Sequence, residues 1–174
     1  GPQGVGAMIL TDAIAEEMNP LISGGTGSES NLLTMPRFMP DKFEPGTLNI
    51  PGIIGLNAAL KYIINVGTKE ILNHERKLSE LFIKCIDSIG GIKVIGPESI
   101  LDRTGVVSLD FTCIDNAEMA FLLESEFGIM TRCGLHCAPL AHKSLGTFPQ
   151  GTVRFSFGYS TTKEDVIYTA DSIR

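Results

Sequence analysis

Apolar and polar residues follow one another along this chain with a period that changes several times, and each change marks an element. Gly4, Val5, Gly6, Ala7, Met8, Ile9 and Leu10 form an apolar, glycine-rich run of strand length, which predicts a buried strand where another backbone comes close. Residues 20 to 52 lose all periodicity and are rich in Gly, Pro, Ser and Thr, so they read as one long loop. Loops of that length inside a domain are usually functional or disordered. From Ile53 the period is helical, with Ile53, Leu56, Leu60, Ile63 and Ile64 on one face. Gly67 interrupts it, and Thr68 offers an N-cap for a second helix whose Ile71, Leu78, Phe82, Cys85 and Ile89 make another stripe. Gly90-Gly91 ends that stripe.

Two short strands are predicted next, Ile92 to Ile95 and Val106 to Phe111, the second with Val107, Leu109 and Phe111 alternating against Ser108 and Asp110. Asp115 and Glu118 suit a capping box for a helix that turns Met119, Leu122, Leu123 and Phe127 inward and stops at Gly128. Gly128, Ile129 and Met130 then look like a short buried strand. Val153 to Phe157 is the last strand, and Thr161 with Glu164 opens a final helix with Val166, Ala170 and Ile173 on its inner face. Strands interleaved with helices through short turns indicate a two-layer α/β sandwich from about residue 53 onward. Nothing repeats internally.

With 174 residues, 43% of them hydrophobic and 20% charged, the chain is long enough for one ordinary domain and its core. No apolar run reaches the roughly 18 residues of a membrane span. A formal net charge of -6 argues against a nucleic-acid surface, which needs clustered Lys and Arg. Four cysteines do not make a disulfide scaffold in a chain of this size, which points to a reducing compartment, hence the cytoplasm. The first residues lack a methionine, a basic patch and a signal-type apolar core, so the chain is expected to be a piece of a longer protein.

Candidate chemistry is concentrated between Arg132 and His142, where two of the four cysteines, two of the three histidines and an arginine share one turn-prone segment. A thiol is nucleophilic only as the thiolate, and Arg132 or a protonated His136 would favour that form at Cys137. Cys137 is therefore the first candidate nucleophile; an inert loop thiol is the bland alternative. Arg154 lies between Val153 and Phe155, an expensive place for a charge without a partner. It is either an edge-strand arginine pointing to solvent or a bidentate clamp for a carboxylate. Cys133, His136, Cys137 and His142 also have the residue types of a zinc site. Their crowding on one loop, unlike the common ligand knuckles, disfavours that reading. His74 reads as an exposed helix residue, Cys85 as a core residue, and Cys113 takes no role. Around Gly24-Gly25-Thr26-Gly27-Ser28, successive backbone N–H groups could form an anion-binding nest, although a flexible turn would look the same in sequence.

Several of these segments together resemble the cysteine desulfurases and selenocysteine lyases of the class V aminotransferase group. They are Gly1-Pro2-Gln3-Gly4, Gly24 to Ser28, Phe43-Glu44-Pro45-Gly46-Thr47-Leu48-Asn49, the Arg132 to Ala138 loop, and Gly151-Thr152-Val153-Arg154-Phe155-Ser156. The resemblance implies the C-terminal part of a pyridoxal-phosphate enzyme of the aspartate-aminotransferase-like, type I fold. Residues 1-52 would be a remnant of the large cofactor domain and 53-174 the small α/β domain. It further implies Cys137 as the nucleophile that takes sulfur from L-cysteine, leaving L-alanine and a persulfide. Arg154 would hold the substrate carboxylate, assisted by Arg132 and His136. Gly25 and Thr26 would reach the cofactor phosphate of the partner subunit in a homodimer, and a sulfur-acceptor protein would take the product. The family's cofactor lysine would lie just upstream of Gly1, since no lysine precedes Lys42, so the chain by itself is expected to be inactive. Selenocysteine lyase, or another class V activity, is the nearest alternative. A non-catalytic scaffold or dimerisation piece, or a zinc module, is the alternative of another kind.

Overall fold

The computed structural model describes residues 1–174, which divide into two compact units, Gly1–Asn65 and Val66–Arg174. In the first unit the backbone is mostly loop. It carries a short helix α1 (Asp12–Glu17) and the start and length of α2 (Ile50–Val66). Asn49 ties its ends together: Nδ2 donates to the Gly4 carbonyl at 3.0 Å, while Oδ1 accepts from the Gly52 N–H at 3.1 Å. Lys42 Nζ donates to the carbonyls of Ala15 and Glu16 at 2.6 and 3.0 Å, which places a cation at the C-terminal end of α1.

The buried strand expected over residues 4–10 is absent: the segment is irregular, and Ile9 is 97% exposed. The physical reason is pairing. A strand persists only when neighbours satisfy its N–H and C=O groups, and every strand of this chain lies between residues 92 and 156, in a sheet that 4–10 does not join. Among residues 1–65 only Ala15, Pro36 and Gly52 are buried. The stripe of α2 exists as a face, but Ile53, Leu60, Ile63 and Ile64 are exposed.

The second unit has its own core. α3 (Thr68–Ile86) leads to β1 (Ile92–Ile95), a single 3₁₀ turn, β2 (Val106–Phe111), α4 (Asn116–Phe127), β3 (Arg132–Gly134), α5 (Pro139–Leu145), β4 (Thr152–Ser156) and α6 (Lys163–Ser172). The four strands form one antiparallel sheet in the order β1-β2-β4-β3. Period-two alternation sends Val107, Leu109, Phe111, Val153 and Phe155 to one face, where Leu78, Phe82 and Ile86 of α3, Leu123 of α4, and Val166 and Ala170 of α6 cover them. The fold is thus mixed α/β, with helices on one face of the sheet. The residues opposite in phase, among them Ser108, Arg154 and Arg132, lie on the other face.

Local signals account for most boundaries. Asp115 caps α4 by accepting from the Ala117 and Glu118 N–H groups, and Gly128 closes it in the left-handed conformation, φ 67°. The capping box of α6 is one residue later than expected, on Thr162 and Asp165. Thr161 is already engaged, its hydroxyl accepting from the Gly158 N–H at 3.0 Å. Thr68 does not cap α3 with its side chain; Gly67, at φ 90°, is the boundary residue. Gly128, Ile129 and Met130 are not a strand. Met130 is 85% exposed, and β3 starts two residues later, where Arg132 meets Arg154.

Candidate functional site

The site begins with two like charges placed side by side. β3 and β4 pair so that Arg132 faces Arg154, Cys133 faces Val153 and Gly134 faces Thr152. Directly opposed like charges are unfavourable on a sheet unless something anionic lies between them. No carboxylate of the chain does this, because its two ion pairs are Lys84–Glu80 and Arg174–Asp171. Arg154 is half-buried, and its Nε is shielded from solvent without a hydrogen-bond partner; so is the hydroxyl of Thr131. Both residues line one open depression of about 210 Å³, with Met130, Arg132 and Ser156. Unpaired buried donors of this kind cost stability. Their convergence on one hollow is the arrangement expected of an anion site.

β4 lies between β2 and β3, so Arg154 is on an interior strand and the edge-strand reading does not hold. Close contact of the strands requires glycine: a Cβ on Gly151, which has φ 78°, would overlap the carbonyl group of Gly134.

After Gly134 the chain turns sharply. His136 and Cys137 adopt φ of 49° and 60°, and they are the two non-glycine residues of the chain with positive φ. The Ala138 N–H closes the turn on the Leu135 carbonyl at 2.8 Å, and α5 starts with Pro139 at its first turn. Cys137 is exposed, as is Cys133. The His136 ring is half-buried; its Nε2 lies 3.5 Å from Thr152 Oγ1. Burial holds its pKa below the ordinary value, and the charges of Arg154, His142 and Arg132 act in the same direction, partly offset by a hydrogen bond with the Thr152 backbone. A neutral imidazole therefore stands beside Cys137 at neutral pH.

Cys137, His136, Arg132 and Arg154 thus belong to one neighbourhood. The four residues considered for zinc are not arranged as a ligand set: no group of three or more His, Cys, Asp or Glu side chains is placed to hold a metal ion. His142 is buried in α5, its Nδ1 2.7 Å from Thr147 Oγ1. His74 is a helix residue but not a free one. Its Nε2 is 3.0 Å from the Thr161 carbonyl, and its ring meets Tyr159 edge-on.

Gly25 and Thr26 lie in the other unit. There the Gly46 N–H donates to the Gly25 carbonyl at 2.7 Å, joining two of the segments that carry the resemblance. Thr26 Oγ1 and Ser28 Oγ are 2.9 Å apart, and the N–H groups of Gly25, Thr26 and Gly27 take no part in the loop's backbone hydrogen bonds. A hollow of about 450 Å³ is lined by Gly24, Gly25 and Thr26, with Glu29 on its wall. This donor set suits a phosphate. The first lysine of the chain, Lys42, has its ammonium engaged by two carbonyls, which does not suit a covalent cofactor anchor.

Thr131 and Thr147 were not legible as site residues in sequence. Nothing in Met130-Thr131 or Leu145-Gly146-Thr147 distinguishes them from ordinary turn residues.

The profile of the Aminotransferase class-V family matches residues 1–168. A Methanothermobacter thermautotrophicus protein named a probable cysteine desulfurase is 36% identical over 172 residues, which cover 95% of this chain and 42% of that one. The crystal structure of the Escherichia coli cysteine desulfurase CsdA in an S-sulfonic acid form superposes with a TM-score of 0.79 at 28% identity, over 92% of this chain and 39% of that one. The apo cysteine desulfurase of Thermococcus onnurineus gives 0.75 at 35% identity, over 88% and 38%. The chain therefore spans about two fifths of the length of the relatives it resembles.

Proposed function

Because this chain belongs to the Aminotransferase class-V family, we propose that it forms the sulfur-accepting part of a pyridoxal-phosphate-dependent cysteine desulfurase. The observation that carries this reading is the unneutralised pair Arg132 and Arg154, with its unpartnered Nε, one turn away from an exposed thiol at Cys137. Bound cofactor supplies an electron sink that loosens the C–S bond of the amino acid. Gly25, Thr26 and Ser28 fit its phosphate.

The remaining steps fall to this chain's side chains. Arg154 holds the substrate carboxylate through its planar fork, and Arg132 supplies a second positive charge at the same end. The substrate sulfur is thereby directed toward Cys137. Attack by the Cys137 thiolate forms the S–S bond as the substrate C–S bond breaks, giving L-alanine and Cys137–S–SH from L-cysteine and the thiol. His136 is neutral at neutral pH and can receive the thiol proton. An exposed persulfide can then be passed to a sulfur-acceptor protein. The working form is a homodimer.

Arg154→Lys in the full-length protein tests the clamp. It keeps the charge and removes the fork, so KM for L-cysteine should rise about ten- to a hundred-fold, the equivalent of one charge-assisted hydrogen bond. An unchanged KM would remove Arg154 from substrate binding. The same assay with L-selenocysteine separates the lyase reading: turnover of that substrate alone would displace the desulfurase assignment.

A further inference from the structure

The turn that carries Cys137 holds a conformation its own hydrogen bonds do not account for. Positive φ at two successive non-glycine residues persists only where the surroundings over-determine it. Within the turn there is one backbone bond, from Ala138 N–H to the Leu135 carbonyl. The His136 ring is bonded from one side only, by a 3.5 Å contact with Thr152 Oγ1 and a hydrogen bond with the Thr152 backbone, and its buried Nδ1 has no partner.

A second imidazole stands against it. The rings of His136 and His142 are 5.9 Å apart at 46°. His142 is only 6% exposed, and Thr147, which bonds to it, is 5% exposed. Nδ1 of His142 lies 2.7 Å from Thr147 Oγ1, the Thr147 N–H donates to the His142 carbonyl at 2.9 Å, and the His142 N–H donates to the Ala138 carbonyl at 3.2 Å. A buried imidazole with one nitrogen so bonded has a fixed ring plane. One connected path therefore runs from Thr147 through His142 to both His136 and the residue after Cys137.

We propose that His142, locked by Thr147, is a positioning residue: it fixes the His136 ring and with it the left-handed turn that presents the Cys137 thiol. The role of that thiol rests on the desulfurase reading above. The other groups that face His136 are Arg132 on β3 and Thr152 and Arg154 on β4, and none of them reaches it from the α5 side.

Thr147→Val, which removes the hydroxyl and keeps nearly the same shape, and Thr147→Ser, which keeps the hydroxyl, test the proposal in the full-length holoenzyme. Valine should lower the rate of sulfur loading on Cys137 about tenfold or more, as expected for a misplaced reacting group, with KM for L-cysteine unchanged because Arg154 is untouched. It should also make His136 severalfold more reactive toward diethyl pyrocarbonate, assigned to His136 rather than His142 by fragment-ion masses of their shared peptide, with His74 as the internal reference. Serine should restore both properties. Acylation of His136 is independent of sulfur chemistry, so it reports on the brace even if no persulfide forms. In the unaltered protein a nuclear Overhauser contact between the two rings is expected, which needs no variant to fold. Valine and wild type alike in both readouts, KM rising in step with the rate loss, or no contact between the rings would each overturn the proposal.

Discussion

Replacing Gly151 with alanine should damage the site far more than one methyl group suggests. Gly151 has φ 78°, so any side chain there costs about 1–2 kcal/mol for the left-handed backbone alone. Its Cβ would also overlap the Gly134 carbonyl group and lie 2.7 Å from the Gly134 Cα. That obstacle is backbone and cannot rotate away, which adds about 1–3 kcal/mol of overpacking. Gly146 provides the control. Its φ is 71°, with nothing within 4 Å of an added Cβ, so alanine there costs only the conformational part. Urea and thermal denaturation of the two variants, side by side, should show Gly151→Ala losing clearly more stability than Gly146→Ala. Because β3 and β4 share only the three pairs Arg132–Arg154, Cys133–Val153 and Gly134–Thr152, displacing Gly134 also separates the two guanidinium groups. KM for L-cysteine should therefore rise in Gly151→Ala and stay near wild type in Gly146→Ala. Equal losses in the two variants would show that β3 is not pressed against Gly151, and the geometry argued for the arginine pair would go with it.

Two other outcomes follow from the same unit. Asn116 is buried; its Oδ1 accepts from the Phe111 N–H at 3.0 Å, and its Nδ2 donates to Asp110 Oδ1 at 3.0 Å and to the Gly151 carbonyl at 3.2 Å. Asn116→Ala should cost about 1–3 kcal/mol for each buried group left unpaired, read as a lowered urea midpoint; a midpoint near wild type would mean that water replaces the amide. His136 has a folded-state pKa below its ordinary value of about 6.5, so beneath that pH the unfolded chain takes up more protons than the folded one. Its contribution to stability is present above that pH and is lost as pH falls toward the folded value. His136→Asn should therefore lose less stability than wild type between pH 7.5 and 5.5, and parallel curves would contradict the assignment.

The second unit could be read from sequence because its local signals agree with its packing. Val107, Leu109 and Phe111 alternate onto the buried face, and Asp115 and Gly128 bound α4 as their chemistry dictates. Residues 4–10 and 128–130 misled because an apolar run says that burial is favourable without saying what covers it. The α2 stripe has the same ambiguity: its period is helical, yet its apolar face is exposed. At the site, the concentration of Cys, His and Arg was visible by composition. The facing of Arg132 and Arg154 was not, since register between strands twenty residues apart depends on the turn between them. Positive φ at His136 and Cys137 was not legible either, because glycine, the residue that signals that conformation most strongly, stands at neither position.

The central claim is that Cys137 receives sulfur from a bound amino acid. Its most direct test is intact and peptide mass spectrometry of the full-length protein with bound cofactor, after incubation with L-cysteine and without reductant. The account predicts the mass of one added sulfur atom on the peptide that contains both Cys133 and Cys137, placed on Cys137 by its fragment ions and absent from Cys137→Ser. Sulfur found on Cys133, or alanine released while Cys137 stays unmodified, would contradict it.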